Sequence, residues 1–382
     1  MLKMILIAPD SFKGSLPAPK VCEAIQLAAK KILPQTPVKV LPMADGGEGT
    51  LDSLVTITNG EIVNVPNVKG PNGQLVQGKY GITGNGRVAI IELAVASGLH
   101  LTPRTERRAG LASTYGTGQL IRHALDRGVR EFIIGLGGSA TTDGGVGLLK
   151  ALGYKFKDNQ GECLPDGGQY LSRLHRVDEA MADKRLRDSR FSIASDVTNP
   201  LIGPNGAAHI FGPQKGADLE EVEWLDQALT HYADCIEATL GLSFHNYKGA
   251  GAAGGTATGL MAFLKAELQS GVELVKDAVG FDQLLEDGQV ELIITGEGQL
   301  DGQTGFGKVI SGICMSAVSF GIPVIALVGA IKGDVHKLYE EGLTAAFSIT
   351  NGPITLEESM AKTSELLYEK AEQVFRVWAL RK

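Results

Sequence analysis

The sequence predicts an α/β fold: a doubly wound, mostly parallel sheet with a second, inserted α/β domain. Both ends of the chain repeat one plan, in which an apolar strand leads through a polar loop into an amphipathic helix. The intervening sequence alternates apolar and polar residues and is rich in turn residues, which is typical of antiparallel hairpins. Because such hairpins lie outside a parallel sheet, the middle of the chain is predicted to hold the inserted domain.

The N-terminal part of the chain contains this plan twice. An apolar strand at residues 4–8 is followed by the loop 10–15 and a helix that ends near Pro34. A second strand at 38–41 leads into the loop 42–50 and another helix. Ligands of doubly wound folds bind at the carboxyl ends of the strands, so both loops are predicted to contribute to one site.

The sequence of strand, polar loop and helix resumes after a predicted hairpin at residues 84–86. A helix is predicted near 117–128, and a buried strand follows at Phe132. The strand ends in a run of Gly, Ser and Thr at 135–145, after which another helix begins. Small residues let backbone N–H groups surround an anion, and a helix N-terminus favours negative charge. Glycine-rich turns also arise for steric reasons, and for this stretch alone a structural turn is the more frequent explanation.

The C-terminal part of the chain returns to regular α/β sequence. A small-residue run at 249–259 is either a flexible linker or a turn packed closely against a ligand or neighbouring backbone. A strand at 292–295 opens into the loop 296–308, and two further strands follow at 323–328 and 345–349. Thr355 and Glu358 have the spacing of a capping box, which predicts a terminal amphipathic helix containing Leu356, Met360 and Leu367.

These elements predict two domains. A discontinuous, Rossmann-like α/β domain is expected from residues 1–65, 100–150 and 285–382. An inserted α+β domain is expected from residues 66–99 and 151–284. The active site is expected in the cleft between them.

The composition excludes several classes of protein. The 382 residues include 36 basic and 43 acidic ones, a formal net charge of −7, so nucleic acid and anionic membranes are not favoured as partners. No apolar run approaches membrane length, and the N-terminal one is too short for a signal peptide. The wide spacing of the cysteines argues against a zinc site and a disulfide framework. A soluble protein of a reducing compartment, with buried free thiols, is predicted.

The loops that follow strands carry acids, lysines and many glycines. The acids are Asp10, Asp45, Glu48, Asp143, Asp196, Glu297 and Asp301, and the lysines are Lys13, Lys215 and Lys308. This set fits magnesium-assisted phosphoryl transfer, in which Mg²⁺ binds one or two carboxylates and phosphate oxygens while lysines offset charge on the transferred group. The GxxxxGK[ST] P-loop is absent, and no GxGxxG stands in the right place for a dinucleotide. A helix cap or a turn is an equally good explanation for any single acid.

Seven blocks of sequence together resemble the motifs of type I glycerate kinases. They are IAPDSFKGS (7–15), MADGGEGT (43–50), GLGGSATTDGG (135–145), SDVTNPL (195–201), FGPQKGA (211–217), GAGAAGG (249–255) and ITGEGQLDGQT (294–304). The blocks occur in order from the first strand to the last third of the chain. The resemblance implies ATP-dependent, Mg²⁺-dependent phosphorylation of D-glycerate by a cytoplasmic, two-domain α/β enzyme.

Two features of the resemblance leave the product and the phosphate contacts open. Some members of this grouping make 2-phosphoglycerate and others 3-phosphoglycerate; the 2-product is the favoured expectation. Gln299 and Leu300 stand where an Arg-Ile pair is common. If that arginine binds phosphate, Lys308 or Lys215 must supply the charge here. The sequence leaves a homodimer open.

Residue roles are assigned from chemistry. The substrate is expected at Asp10, Ser11, Lys13, Asp45 and Glu48, with the substrate carboxylate on Lys13 and on N–H groups near Ser11. The nucleotide is expected at Gly137, Gly138, Ser139, Asp143, Lys215 and Lys308. The metal is expected at Asp196, Glu297 and Asp301, and the catalytic residues are Lys13, Asp45, Asp196 and Asp301.

Two other classes of function use similar loops. A nucleotide-regulated sugar-acid binding module would bind the same ligands without transferring phosphate. A phosphosugar isomerase or sugar-acid dehydrogenase would act without ATP, and a dehydrogenase would need the missing dinucleotide fingerprint.

Overall fold

The computed structural model describes residues 3–47, 49–301 and 308–380, and the chain forms two compact units. The first unit comprises Met1–Asp45, Asp52–Thr58 and Val272–Lys382, and the second comprises Gly46–Leu51 and Asn59–Gly271. Each unit is built around a sheet that is wholly or mostly parallel. The predicted α/β class, with a second α/β domain inserted into the first, is confirmed.

The strands and helices of the described residues are numbered in chain order. The strands are β1 Met4–Ile7, β2 Val38–Val40, β3 Glu61–Lys69, β4 Leu75–Ile82, β5 Val88–Glu92, β6 Glu131–Gly135, β7 Lys155–Lys157, β8 Arg176–Asp178, β9 Arg190–Ala194, β10 Glu267–Gln269, β11 Val290–Asp301, β12 Val324–Lys332 and β13 Leu343–Ser348. The helices are α1 Ala18–Ile32, α2 Thr50–Thr58, α3 Ala94–Ser97, α4 Tyr115–Asp126, α5 Val146–Ala151, α6 Ala207–Phe211, α7 Leu219–Leu240, α8 Ala252–Leu264, α9 Gly271–Val279, α10 Phe281–Glu286, α11 Lys308–Val318, α12 His336–Glu340, α13 Leu356–Ala361 and α14 Thr363–Ala379.

The sheet of the first unit is entirely parallel, with the strand order β13-β12-β11-β1-β2. Parallel neighbours need crossover connections, which the intervening helices provide. On one face, α1 packs against α14, and Ile25 of α1 and Phe375 of α14 are fully buried with Ile7 and Leu292 from the strands. Strands of parallel sheets that helices cover on both faces are continuously apolar rather than alternating, as β1 is. All five strands therefore end at the same edge of the sheet.

The sheet of the second unit is mixed, with the strand order β10-β9-β6-β5-β4-β3. Strands β10, β9, β6 and β5 are parallel, whereas β4 and β3 complete an antiparallel meander at the edge. Phe132 of β6 stacks on its register partner Phe191 of β9, with ring centroids 4.8 Å apart. This pair fixes the register of the two central strands. The predicted hairpin at 84–86 lies between β4 and β5.

The units divide the chain differently from the predicted domains. Residues 100–150 were expected in the domain that contains the chain termini, but they belong to the second unit. The reason is strand pairing, because β6 lies between β5 and β9 and not beside β1 or β11. Each unit has its own parallel strands. The hydrophobic pattern of a strand does not show which of two parallel sheets the strand joins. The predicted position of the active site between the domains stays a prediction.

Two C-terminal elements differ from their predicted bounds. Strand β11 continues to Asp301 through residues predicted as a loop, because β12 pairs with it as far as Lys332. The terminal helix is divided at Lys362 into α13 and α14. The capping box of Thr355 and Glu358 at the start of α13 is confirmed. Within the described ranges, no helix is long and apolar enough to span a membrane.

The small-residue run at 249–259 is a close-packed turn rather than a linker. Helix α8 contains three consecutive residues with left-handed backbone, Ala253, Gly254 and Gly255, and all three are buried. Gly254 has φ +64°, and a β-carbon placed on it would lie 2.1 Å from the carbonyl oxygen of Thr141. Its own carbonyl accepts the N–H of Gly144 at 3.0 Å. The sequence left a ligand or neighbouring backbone as the packing partner of this turn, and in the structure the partner is neighbouring backbone.

Replacing Gly254 with alanine is expected to lower the free energy of unfolding by about 3 kcal/mol, through backbone strain and the clash with Thr141. Gly241→Ala is the matched control, because Gly241 has φ +69° in the same unit but no atom within 4 Å of a built β-carbon. The control should lose about 1 kcal/mol. Denaturant unfolding measures both variants, and equal losses would show that packing against Thr141 is unimportant.

Candidate functional site

A pocket of about 450 Å³ lies at the carboxyl edge of the first unit's sheet. Asp10 follows β1, Asp45 follows β2 and Ile349 follows β13, while Glu297 of β11 and Gly329 of β12 complete the set. Loops and strand ends converge at this edge in doubly wound sheets, which is why ligands bind there. The volume is within the range of small-molecule sites. The structure thus brings the loops of Asp10 and Asp45 together, as expected.

The charged groups of this first-unit pocket are arranged around Lys13. Its ammonium lies 3.1 Å from Oδ2 of Asp45, and its side chain is 52% exposed. The carboxyl of Asp10 is nearly buried, and its Oδ1 accepts the backbone N–H of Ser11 at 2.6 Å. The Ser11 N–H is therefore already engaged and does not point freely to a substrate, in contrast to the prediction. Lys13 lines the pocket together with a second cation, Lys308.

The environment shifts the pKa of both groups upward. Burial, reinforced by the charge of Asp45, raises the pKa of Asp10 to about 7, despite the Ser11 N–H and the nearby ammonium of Lys13. For Lys13, burial acts to lower the pKa, but the carboxylates of Asp45, Asp10 and Glu297 outweigh it, so that the pKa is raised. At neutral pH, Lys13 is charged, and Asp10 is near the midpoint of its titration, with comparable amounts of the protonated and ionised forms. A carboxyl that titrates near pH 7 is suited to proton transfer.

The predicted metal ligands Glu297 and Asp301 lie on β11 and Asp196 follows β9, and which of them hold the metal stays a prediction. Glu297 lines the first-unit pocket, whereas Asp196 belongs to the second unit. Glu297 and Asp301 are four residues apart on β11, a separation of about 13 Å along a strand, so they cannot bind the same ion. Throughout the described residues, no three His, Cys, Asp or Glu side chains are placed to hold a metal. Glu297 is the predicted ligand that the structure places in the pocket, together with Lys308.

One wall of the pocket was not foreseen from the sequence. Leu356, Ser359 and Met360 of α13 and Thr363 of α14 line it. The hydroxyl of Ser15 holds this wall against the first loop, donating to the carbonyl of Met360 at 2.7 Å. Amphipathic spacing had placed Leu356 and Met360 on the buried face of one helix, but Leu356 is 76% exposed and Met360 is 37% exposed. The break at Lys362 turns these two side chains away from the core, and local periodicity gives no signal for it.

In the second unit, Asp143 has a structural environment. It is fully buried, and its carboxylate accepts four hydrogen bonds of 2.8 to 3.2 Å from the N–H and hydroxyl of Thr114 and the N–H groups of Gly145 and Gly147. Burial raises its pKa in spite of these bonds. Asp143 thus connects the start of α4 to the start of α5.

The N-terminus of α5 has no free donors for a phosphate. Besides the groups that Asp143 engages, the N–H of Val146 donates to the Asp143 carbonyl at 3.0 Å and that of Leu148 donates to the Thr114 hydroxyl at 2.9 Å. The sequence predicted a nucleotide at Asp143 and this helix terminus. Intramolecular bonds satisfy these donors of α5 in this arrangement, and the predicted nucleotide site stays a prediction.

Lys215, also predicted to bind phosphate, is 2% exposed. Its ammonium donates to the carbonyl of Thr141 at 2.6 Å. Burial lowers its pKa to about 7, and the opposite effect of Asp143 is smaller. In this arrangement the Lys215 ammonium is bonded inside the second unit, and its phosphate-binding role stays a prediction.

The other predicted residues are placed as follows. Gly137 and Gly138 are exposed in the turn after β6, and Ser139 is buried. Asp196 follows β9 and accepts the N–H of Gly271 at 3.3 Å. Their roles, and the catalytic role of Asp301, stay predictions. Glu48 lies outside the described residues.

Comparison with known proteins gives one consistent result. The model of the glycerate kinase family matches residues 5–379. A glycerate kinase of Bacillus subtilis (strain 168) is 45% identical over 370 residues, which are 97% of this chain and 96% of the relative. A glycerate 2-kinase of Escherichia coli (strain K12) is 43% identical over 93% of this chain and 92% of the relative. The crystal structure of a Salmonella typhimurium LT2 protein assigned as glycerate kinase 2 superposes with a TM-score of 0.90 at 43% identity, covering 100% of this chain and 99% of that one.

Proposed function

The chain belongs to the glycerate kinase family, and on this premise we propose that it transfers the γ-phosphoryl group of ATP to the 2-hydroxyl of D-glycerate. The hydroxyl oxygen forms a bond to the γ-phosphorus while the bond from that phosphorus to the oxygen of the departing ADP breaks. The hydroxyl proton passes to a protein carboxylate. The products are 2-phosphoglycerate and ADP.

The observation that carries this proposal is the grouping of Lys13, Asp45 and Asp10 in the first-unit pocket. The Lys13 ammonium is half exposed and fits the carboxylate of D-glycerate by charge. Asp45, which lies 3.1 Å from that ammonium, accepts hydrogen bonds from the substrate hydroxyls. Together the two side chains hold both polar ends of a three-carbon acid.

Asp10 is our candidate for the general base. It lines the same pocket and is 4% exposed, so its proton exchange with bulk water is restricted. The predicted candidates for this role, Asp196 and Asp301, do not line the pocket. A base that is held in place by the Ser11 N–H can accept the proton without reorganising during the reaction.

Lys308 and Glu297 supply the phosphate end of the site. The Lys308 ammonium offsets charge on the transferred group, the role for which the sequence offered Lys308 or Lys215. Mg²⁺ fits a single pocket carboxylate, because this ion keeps several waters and completes its coordination with substrate phosphates. Glu297 would hold it. When bound, the ion neutralises charge on the phosphate oxygens.

Activity is expected to depend on the ionisation of Asp10. Because Asp10 must be deprotonated to act as a base and its pKa is about 7, kcat/KM should rise about tenfold per pH unit up to pH 7 and level off above it. Asp10→Asn should lower kcat/KM by about 10² to 10⁴ and remove this rise. Steady-state rates between about pH 5 and pH 9 test both statements. A variant that keeps the rise would assign it to another group.

Product analysis tests the function itself. The protein is incubated with D-glycerate, ATP and Mg²⁺, and phosphorus NMR identifies the phosphorylated product. A 2-phosphoglycerate signal with stoichiometric ADP is expected. A 3-phosphoglycerate signal would overturn the assignment of the hydroxyl, and ATP binding without ADP release would indicate a binding module.

A further inference from the structure

The turn that carries Lys13 projects from the loop after β1. The start of the loop is tied to the sheet, because the Asp10 N–H donates to the carbonyl of Gly296 at 2.8 Å. Phe12 and Leu16 then close the turn with reciprocal N–H to carbonyl bonds of 2.8 and 2.9 Å. Bonds within a turn fix its shape, whereas contacts with other elements fix its direction. The position of the Lys13 ammonium therefore depends on what the tip of the turn packs against.

The tip of the turn is bonded to the C-terminal helices through the hydroxyl of Ser15. Its Oγ donates to the carbonyl of Met360 at 2.7 Å and lies 2.6 Å from Oγ1 of Thr363. Each hydroxyl has one proton, so with the Ser15 proton on Met360 it is Thr363 that donates to Ser15. The other acceptors near Thr363, the carbonyls of Ser359 and Met360, lie farther away, at 2.9 and 3.1 Å. Two hydroxyls in series thus link the Lys13 turn to the first residue of α14.

Thr363 is a rigid anchor for this link. It is 4% exposed and lies where α13 ends and α14 begins. Helix α14 packs on α1, and its Leu367 and Phe375 are fully buried in the core of the first unit. The second contact of the tip is apolar, because a β-carbon built on Gly14 would lie 3.2 Å from Cε of Met360. A methionine side chain is flexible, so the hydroxyl link is the contact that sets the direction of the turn.

The side chain of Lys13 adds little restraint of its own. It is 52% exposed, and its ion pair with Asp45 is of the partly exposed kind that restrains geometry weakly. An ammonium on a flexible four-carbon stem is placed accurately only where its backbone is held. If the turn moves freely, Lys13 occupies the binding position for part of the time, and the apparent affinity for D-glycerate falls by that fraction.

Resting on the proposed function, we infer that Thr363 is a positioning residue for D-glycerate: through Ser15 it holds the turn that presents Lys13 to the substrate. A contact between residues 348 positions apart in the chain thereby sets the affinity of an N-terminal loop for its ligand. Because Thr363 acts through Ser15 and not on the transferred phosphoryl group, its loss should change the affinity for D-glycerate and leave the rate of transfer unaltered.

Thr363→Val tests the inference, because valine is also β-branched but has no hydroxyl. We expect the KM for D-glycerate to rise about fivefold, with kcat and the KM for ATP within about twofold of the unmodified protein. Thr363→Ser restores a hydroxyl and should keep the KM for D-glycerate within about twofold. Ser15→Ala removes both bonds of the tip and should raise this KM about tenfold, which provides a second variant if Thr363→Val does not fold.

A double-mutant cycle separates positioning from a general loss of stability. In a Lys13→Met background, Thr363→Val should change the KM for D-glycerate by less than about twofold, because no ammonium remains to be positioned. Thr344→Val is the matched control. Thr344 lies near the start of β13, at the amino edge of the same sheet, and its hydroxyl accepts the N–H of Val324 at 3.0 Å. Loss of this bond should leave the KM for D-glycerate unchanged.

Two outcomes would overturn the inference. An unchanged KM for D-glycerate in both Thr363→Val and Ser15→Ala would show that the turn holds Lys13 without the link. A rise of the same size in the Lys13→Met background would show that the hydroxyl acts on the fold or directly on the substrate. Calorimetric titration with D-glycerate repeats the comparison without phosphoryl transfer. Failure of the proposed function is therefore distinguishable, as binding of D-glycerate without formation of ADP.

Discussion

Lys13→Met is expected to lower kcat/KM for D-glycerate phosphorylation by about 10²-fold, mainly through a higher KM for D-glycerate, because a hydrogen bond to a charged group contributes about 1.5 to 3 kcal/mol to binding. The variant loses the half-exposed ammonium of the first-unit pocket and removes the positive charge that acts on Asp45 and Asp10. Like-charge repulsion would then act directly on an anionic substrate. Steady-state kinetics with both substrates varied measures the loss.

The fold of this variant should remain intact. The Lys13 and Asp45 ion pair is partly exposed, and such pairs contribute at most about 1 kcal/mol to stability. The melting temperature should therefore stay close to that of the unmodified protein. Lys13→Arg should recover part of the activity because it restores the charge, and Lys30→Met, at an exposed position of α1, serves as the control. A loss of less than fivefold in Lys13→Met would remove this residue from the site.

Asp143→Ala is expected to lower the free energy of unfolding by about 5 kcal/mol. The change leaves the buried N–H groups of Thr114, Gly145 and Gly147 without an acceptor, and each such group costs about 1 to 3 kcal/mol. It also leaves the buried ammonium of Lys215 without the nearby carboxylate. Since domains are stable by only about 5 to 15 kcal/mol, the variant should be largely unfolded at moderate temperature.

Denaturant unfolding followed by circular dichroism measures this effect. Asp188→Ala is the matched control, because Asp188 is an exposed aspartate in the same unit and its loss should change stability by less than about 0.5 kcal/mol. A stable Asp143→Ala protein that has lost only nucleotide binding would contradict the structural role and support the role predicted from the sequence.

The contrast between Lys13 and Lys215 explains how far sequence reasoning could identify the site. Both lysines stand in loops with glycine and qualify equally as phosphate or carboxylate ligands by residue type. In the structure, Lys13 is half exposed beside Asp45, whereas Lys215 is buried against the Thr141 carbonyl. Residue type predicts what a side chain can do, but exposure decides whether a ligand can reach it. Exposure depends on contacts that are distant in the chain.

The sequence by itself determined the properties that depend on near neighbours. Strand and helix periodicity predicted β1 and α1, turn residues predicted the hairpin between β4 and β5, and the Thr355 and Glu358 spacing predicted a capping box. These features rest on hydrogen bonds and apolar faces within a few residues, so a short window contains the necessary information.

Only the tertiary structure decided which of these elements meet. It assigned β6 to the second sheet, used the donors of α5 to satisfy Asp143, and brought Met360 of α13 to the loop of Ser15, 345 residues away. Such contacts depend on the packing of whole layers, and many arrangements of the same strands and helices have equal local preferences. The free energy that selects one arrangement comes from burial and hydrogen bonding summed over the unit, which no single segment encodes.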